Sequence, residues 1–382
     1  MNYSKILKLS KIIFSFSLLL TLTPVSQLQV QAQSLDFPTS RYGVSFGNSK
    51  YFTGLRINWR DHDVSELNGI NITLWTPKEN EQAEMTGINL GIVMPYGGNL
   101  TGINIGGLGP GANGDITGIS MGLLGVGAGN DITGITIGGL GAGGGGNMSG
   151  IQFGGLGIGA GGHLTGLNVG GIGMGSGGDL TGLNIAGLGL GAGEDLIGIS
   201  FAGLGLGSGE DIKGITFGFL GAGAGENAMG ITLGGLGCGA GNNMTGLQAA
   251  MIGMGAGKEL FGLNLAGIGL GAGEHLKGVS IAGIGAGAPD VTGITITGVG
   301  SGGQNLTGLF FSSAIIKVVD DGSLKGVAAS AFNQIKGTQT GVSFGIVNYA
   351  YKLNGFQFGI INYVRDNPKF LKILPLINWH FE

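Results

Sequence analysis

Two short segments carry the residue pattern of a hydrolase nucleophile. Gly118–Gly122 (GISMG) and Gly341–Gly345 (GVSFG) each place a serine between glycines, which lets a strained turn expose the hydroxyl at the end of a strand. The position of Ser120 holds mostly Asn, Thr or Gln in neighbouring repeats, and neither a strand–turn–helix pattern nor a partner histidine accompanies it. Both serines are therefore interpreted as by-products of a repeat, and no catalytic residue is assigned.

The sequence patterns give equally little support for a phosphate-binding site or a metal site. Gly-x-Gly-x-x-Gly recurs many times along the chain, but no helix pattern follows it to receive a phosphate. His62 lies in an Asp-His-Asp triplet that could ligate a metal, yet such an isolated cluster is more often solvated charge. His163 and His275 fall at predicted turns, and His380 falls in the last strand. The sequence predicts no metal site and no cofactor.

The element that positions these residues is a repeat of sixteen residues, which begins at Leu100 and continues for some thirteen units to Asn305. A fixed period this short predicts a stacked array of one small supersecondary unit. In the template Thr101–Asn113, apolar residues alternate with glycine or small polar residues, which is the period of a strand with one buried face. The glycine content argues against helix.

The predicted fold is all-β, a repetitive β-solenoid in which each glycine-rich unit forms one coil. Ile103 and Ile105 are expected to point inward from one sheet, and Leu108, residue 110 and Ala112 from the opposite sheet. Stacking of about fourteen coils at about 4.8 Å predicts a rod of about 65 Å. It also predicts a polar ladder on the outside, formed by Asn104, Ser120, Thr136, Gln152, Asn168 and Asn184.

An antiparallel β-barrel of an outer membrane is the alternative fold, because two-residue glycine turns could convert each unit into a hairpin. A sixteen-residue hairpin leaves about six residues per strand, whereas a tilted membrane strand needs roughly 9 to 11. Strand length therefore favours the solenoid.

Glycine occupies the columns of Gly102, Gly109 and Gly111 in all thirteen units, although each glycine in a strand costs about 0.5 to 1 kcal/mol relative to alanine. Positive φ at the bend could explain Gly106. Two explanations remain open for the alternating columns: glycine permits tight coils, or it creates a flat face that another backbone approaches closely. The flat face, which would include Gly125, Gly127 and Gly129, is a candidate for self-association.

Carboxylates crowd the far bend of the predicted coil. The period is sixteen rather than eighteen, and the Asp column also holds Asn147 and His163, so regular calcium ligation is not expected. Solvated turn residues that blunt an edge are the preferred interpretation. The residues concerned are Asp115, Asp131, Asp179, Glu194, Asp195, Glu210, Asp211, Glu226, Glu259, Glu274 and Asp290.

Four segments are predicted. Residues 1–32 read as a secretory signal peptide with a basic start, an apolar run and a small-residue cleavage site, so the mature chain is expected to begin near Gln33. Residues 33–99 form an N-terminal cap with irregular repeats, 100–323 the repeat array, and 324–382 looser repeats and a C-terminal cap.

Trp59, Trp75 and Trp379 are expected to cover the ends of the core. Cys238, the single cysteine, is expected to be a small apolar residue that fills the core.

The closing repeats GVSFGIVNYAYKLN and GFQFGIINYVRDNP, with the ending PLINWHF, resemble the leptospiral-type surface repeat-containing proteins of bacteria. Asn348 and Asn362 stand at the asparagine position of that family's repeat. The match extends loosely to residues 42–107 and departs from the glycine-dense middle. The resemblance implies an exported or outer-membrane location and little about activity.

The predicted function is that of an exported, non-enzymatic repeat protein of the cell surface or envelope, with adhesive, structural or self-association roles. A net charge of −4 with only 10% charged residues argues against a nucleic-acid partner. One alternative is an outer-membrane barrel or pore. A lesser one is an ice-binding solenoid, which rests on the column of Thr101, Thr117 and Thr133 and is interrupted by Ile197, Met229 and Phe261. Membrane association is left open.

Overall fold

The computed structural model describes residues 34–381. The predicted signal peptide, residues 1–32, lies outside the described residues. The N-terminal part contains β1 Ser34–Pro38, β2 Tyr42–Gly47, β3 Tyr51–Asn58, β4 Glu66–Thr73, β5 Glu84–Gly91, β6 Tyr96–Gly97, β7 Asn99–Gly106 and β8 Gly111–Ala112.

The repeat array contributes alternating long and short strands: β9 Ile116–Gly122, β10 Gly125–Ala128, β11 Ile132–Gly138, β12 Gly141–Gly144, β13 Met148–Gly154, β14 Gly157–Ala160, β15 Leu164–Gly170, β16 Gly173–Ser176, β17 Leu180–Ala186, β18 Gly189–Ala192, β19 Leu196–Ala202, β20 Gly205–Ser208, β21 Ile212–Gly218, β22 Gly221–Ala224, β23 Ala228–Gly234, β24 Gly237–Ala240, β25 Asn243–Ala250, β26 Gly253–Ala256, β27 Glu259–Ala266, β28 Gly269–Ala272, β29 His275–Ala282, β30 Gly285–Gly287 and β31 Asp290–Thr297. The C-terminal part contains β32 Gly300–Ser312, β33 Ile315–Ala329, β34 Phe332–Phe344, β35 Val347–Val364 and β36 Ile373–His380.

The strands form a β-solenoid of about 19 turns. Each long strand pairs in parallel with the long strand of the next coil in a sixteen-residue register, as in Ile116↔Ile132, and the short strands do the same, as in Val126↔Ala142. The prediction of an all-β solenoid is confirmed. The alternative of an antiparallel barrel is wrong, because the strands of successive coils are parallel and buried side chains fill the interior.

The stack continues beyond the regular repeats with coils of other lengths. Gly54↔Gly69↔Gly87 precede the array, and Gly326↔Gly341↔Gly355 follow it, all in parallel register. At the two ends the chain reverses: β1 pairs antiparallel with β2, and β36 pairs antiparallel with β35. Pro38 and Pro375 lie on these terminal strands, where proline lowers the capacity of an edge to recruit another strand.

The core contains three columns of apolar side chains. The innermost column includes Leu100, Ile116 and Ile132, each no more than 1% exposed, and it faces the columns of Val126 and Ala112 from the short strands. The expectation that residue 110 and Ala112 point inward is confirmed. Cys238 lies in the same column as Val126 and is buried, and this burial raises the pKa of its thiol to about 11.

The predicted orientation of the long strand is wrong. Ile103 and Ile105 point outward and are 37% and 40% exposed, and Leu108 is 47% exposed at the following bend. The polar column expected on the outside is buried instead, with Asn104 at 0%. Its buried members include Asn104, Ser120, Thr136, Gln152, Asn168, Asn184, Ser200, Thr216, Thr232, Gln248, Asn264, Ser280 and Thr295.

The coil is thin near this bend. A Cβ added at Gly106 would lie 2.8 Å from the carbonyl carbon of Gly109, so the two sheets nearly touch there. The same column holds glycine or alanine, for example Ala186 and Ala202, in the other coils of the array as far as Ala282, and Thr297 in the last one. At the neighbouring inner position the array holds Asn, Gln, Ser or Thr, and Phe310 is enclosed in the same column in the following coil. Isoleucine and phenylalanine of the array occupy the outer side of the strand.

Part of the buried polar column is hydrogen-bonded along the axis of the solenoid, whereas the side-chain amide of Gln248 has no hydrogen-bond partner among the described residues. Asn168 Nδ2 donates to Asn184 Oδ1 at 2.8 Å, and Asn184 Nδ2 donates to Ser200 Oγ at 3.2 Å. Parallel in-register stacking brings identical positions of successive strands to the spacing that such side-chain ladders require. Buried polar groups are tolerated where they are paired in this way.

Candidate functional site

The two serines of the nucleophile pattern lie in the interior. Ser120 is 1% exposed and its Oγ accepts a hydrogen bond from Asn104 Nδ2, while Ser343, 0% exposed, donates to Gln339 Oε1 at 3.2 Å. Both sit within strands rather than on an exposed turn. Neither hydroxyl is accessible to a substrate.

The Asp-His-Asp triplet divides into buried and exposed parts. Asp61, which the sequence predicted to be solvated, is 0% exposed, pairs with the buried Arg56 and accepts a hydrogen bond from Thr73 Oγ1. His62 is half-exposed, and its Nε2 lies 3.4 Å from Glu79 Oε2. No sequence pattern indicated the Arg56–Asp61 pair, because the two residues meet only when the chain turns between strands β3 and β4.

The acidic bend, which joins each short strand to the next long strand, contains a ladder that sequence reasoning missed. Asp131 donates its backbone N–H to Asp115 Oδ1, and Asn147 donates its N–H to Asp131 Oδ1 at 2.7 Å. His163 fills the same role with a ring nitrogen, since its Nδ1 accepts the N–H of Asp179 at 2.9 Å. From Asn99 to Asn227 this column holds only Asp, Asn and His, which share a short side chain with a hydrogen-bond acceptor, and Glu259 departs from the pattern in a later coil.

Charge accumulates locally on the acidic bend. Desolvation, together with the carboxylates of Asp195, Glu194 and Glu226, raises the pKa of Glu210. Lys213 is hydrogen-bonded to Asp195 and Asp211, and these bonds raise the pKa of its ammonium group. The stacked columns also bring ligand atoms of His163, Asp179 and Glu194 within 4.8 Å of one another. These three side chains lie close together because successive coils of the acidic bend stack on one another. His163 Nδ1 already accepts the backbone N–H of Asp179 as part of the hydrogen-bond ladder of that bend, here called the turn ladder.

The largest exposed feature is the outer side of the long strands, here called the apolar face. It comprises two columns, which run from Val44 to Phe356 and from Phe46 to Phe358 and contain only apolar residues. Ile199 and Phe201 are typical members, each 41% exposed. A third outward column, which contains Thr101 and Thr117, lies between this face and the acidic bend.

Both terminal strands extend the apolar face although they run in the opposite direction. Leu35 and Phe37 pair with Phe46 and Val44 and are 73% and 76% exposed. At the other end, Ile377 and Trp379 pair with Phe358 and Phe356, and the tryptophan is 57% exposed. The face thus extends over the whole described length of the chain, from cap to cap.

The bend opposite the acidic bend is here called the leucine edge. Leu108, Leu124, Leu140 and Leu156 project from successive coils, each 47–50% exposed. The glycine column beside it is interrupted in the array by Leu123, Phe219 and Met251, which are even more exposed. Trp59 and Trp75 stack at this edge with ring centroids 6.2 Å apart, so the expectation that these tryptophans and Trp379 cover the ends of the core is wrong.

The outer side of the short strands is here called the glycine face. A Cβ added at Gly189 or Gly191 would meet no atom within 4 Å. The coil itself therefore does not require glycine at these positions. By contrast, every coil needs glycine in the column of Gly102, where φ is positive and a Cβ would lie 2.1 Å from Gly87 O. The expected positive φ belongs to this column and not to Gly106.

The two asparagines that carry the family resemblance lie inside the C-terminal coils. Asn348 accepts a hydrogen bond from Asn333 and donates to Asn362 Oδ1 at 2.7 Å, and all three are 0% exposed. They form a second internal ladder, in which each side-chain amide is hydrogen-bonded to the amide of the next coil.

The fold and its surface define a β-solenoid whose outer sides are the acidic bend, the threonine-containing column, the apolar face, the leucine edge and the glycine face. Comparison with protein-family models, curated proteins and solved structures finds no significant match. Among residues 34–381 there is no helix long and apolar enough to cross a bilayer.

Proposed function

We propose that this chain is an exported structural protein of the cell surface or envelope, which works as a rod and binds through its sides rather than by catalysis. The observation that carries this proposal is the apolar face, which runs unbroken from Leu35 to Trp379 through both caps. Exposed apolar area of this extent on a soluble protein marks an interaction surface.

The secretory pattern of residues 1–32 and the resemblance of the C-terminal repeats to bacterial surface-repeat proteins support export. The burial of Ser120 and Ser343 supports a non-enzymatic role. An ice-binding role has no specific observation in its favour, since Lys213 and Met229 break the exposed threonine column.

Expression of the full chain in a bacterial host with an outer membrane tests this proposal. We expect a product whose N-terminus begins near Gln33 and which external protease digests on intact cells. Removal of residues 164–227, which are four whole coils in register, should shorten the rod without preventing export. A product that stays in the cytoplasm with its N-terminus intact would refute the proposal.

A further inference from the structure

We propose that the apolar face binds a second copy of this chain, face to face. The proposal deepens the proposed function by naming the partner of its lateral surface. About 19 turns at about 4.8 Å, and a width of about 10 Å for two columns that lie two residues apart on each strand, give the face an area of roughly 900 Å². Typical monomers expose apolar patches of at most about 300–600 Å², whereas a stable dimer buries about 800 Å² on each partner.

The repeat makes this surface complementary to itself. Ile199, Ile215 and their equivalents recur at the strand spacing along one straight column, because the coils stack in register. A second copy has the same spacing, so the ridges of one face fit between the ridges of the other over many coils. An apolar partner with another repeat would match only locally.

The distribution of charge favours a second copy over a lipid surface. Proteins that lie on membranes usually border their apolar side with Lys and Arg. Here the bend beyond the threonine-containing column carries carboxylates, and two of the three lysines in that column, Lys213 and Lys277, are paired with Asp195 and Glu259. The third lysine of the column is Lys325. Neither column of the face contains a charged residue between Val44 and Phe358.

A depression in the face offers a place for a partner side chain. Ala249 stands where neighbouring coils have Leu233 and Leu265, and the resulting hollow has a volume of about 420 Å³. Met251 and Ile281 complete its apolar wall. A protruding phenylalanine or leucine of the second copy fits a hollow of this kind.

Sedimentation velocity of the full chain, over a concentration series in buffer without detergent, tests the proposal. We expect a dimer of two 38.2 kDa chains, less any cleaved signal segment. Ile199→Glu with Ile215→Glu should weaken the dimer at least about 100-fold, because two charges would be buried at a dry contact. The matched control is Leu204→Glu with Leu220→Glu, which changes the leucine edge of the same coils at similar exposure, 44% and 42%. It should alter the dissociation constant less than about 3-fold.

Ala249→Trp provides a second, independent variant. The new side chain fills the hollow from outside and leaves the interior of the coil unchanged, so the rod should fold with wild-type circular dichroism while the dimer weakens about 10-fold or more. A wild-type chain that is monomeric at every concentration would overturn the proposal, as would equal effects of the face and edge variants. Monomers that bind phosphatidylcholine vesicles through the same isoleucines would assign the face to lipid instead. Export is measured separately, so failure of the dimer leaves the proposed function testable.

Discussion

Two glycines of one coil should respond in opposite ways to the same substitution. Gly182 and Gly191 lie nine residues apart, the first in long strand β17 and the second in short strand β18. Gly182 has φ +116°, and a Cβ there would lie 2.1 Å from Gly166 O. A Cβ at Gly191 would meet nothing within 4 Å.

The magnitudes follow from these geometries. Gly182→Ala combines backbone strain of about 1–3 kcal/mol with an overlap that forces the coil to shift, so we expect a loss of at least about 3 kcal/mol. Gly191→Ala meets no obstacle and restricts the unfolded chain, which should make it neutral or stabilising by about 0.4–1 kcal/mol.

Thermal unfolding and hydrogen exchange of the amides in residues 164–212 are the appropriate measurements, because long repeat arrays depart from two-state behaviour. Gly182→Ala should lower the unfolding temperature and locally increase exchange. Gly191→Ala should do neither. Equal destabilisation by both variants would refute the assignment of the two glycine columns to different roles.

Three further predictions concern the polar columns. Asn184→Leu removes the acceptor of one buried amide and the donor to Ser200, so stability should fall by about 2–4 kcal/mol, whereas Asn184→Ser, a residue this column already uses, should cost less in the same urea titration. Asp131→Ala leaves the Asn147 N–H without its partner and should cost about 1 kcal/mol, while Asp131→Asn should be nearly neutral by thermal unfolding. For Glu210 the pKa is raised in the folded state, so protonation favours folding and the ionised form opposes it. Glu210→Gln should therefore unfold at a higher temperature than wild type at pH 7, with the difference disappearing below pH 4; an equal difference at both pH values would contradict this.

The candidate surface was only partly predictable. The glycine columns indicated a flat outer side, and the geometry at Gly189 and Gly191 is consistent with one. The apolar face was missed because alternation of apolar and polar residues was assumed to place Ile103 and Ile105 inside. Alternation specifies that two sets of residues lie on opposite sides of a strand, but not which side is enclosed.

The hydrogen-bond ladder of the acidic bend was not predicted from the sequence, for a related reason. A column containing Asp, Asn and His has no common charge. The sequence therefore suggested solvated residues with no common structural role. Their common property is an acceptor atom one or two bonds beyond Cβ, and it becomes useful only when the next coil places a backbone N–H within reach, as Asp179 does for His163.

The sequence alone determined the repeat, the strand period and the inward position of Val126 and Ala112, because these depend on local spacing. Strand length favoured the parallel stacking of identical columns, and the structure shows it. Only the tertiary structure decided which side of the long strand is enclosed. Beside Gly106 and Gly109 the two sheets nearly touch, the inner side of the long strand holds the hydrogen-bonding column, and Ile103 and Ile105 lie outside. Close approach of the two sheets and hydrogen bonding along the stack together outweigh the hydrophobicity of single residues here, and they create the apolar face on which the proposed function depends.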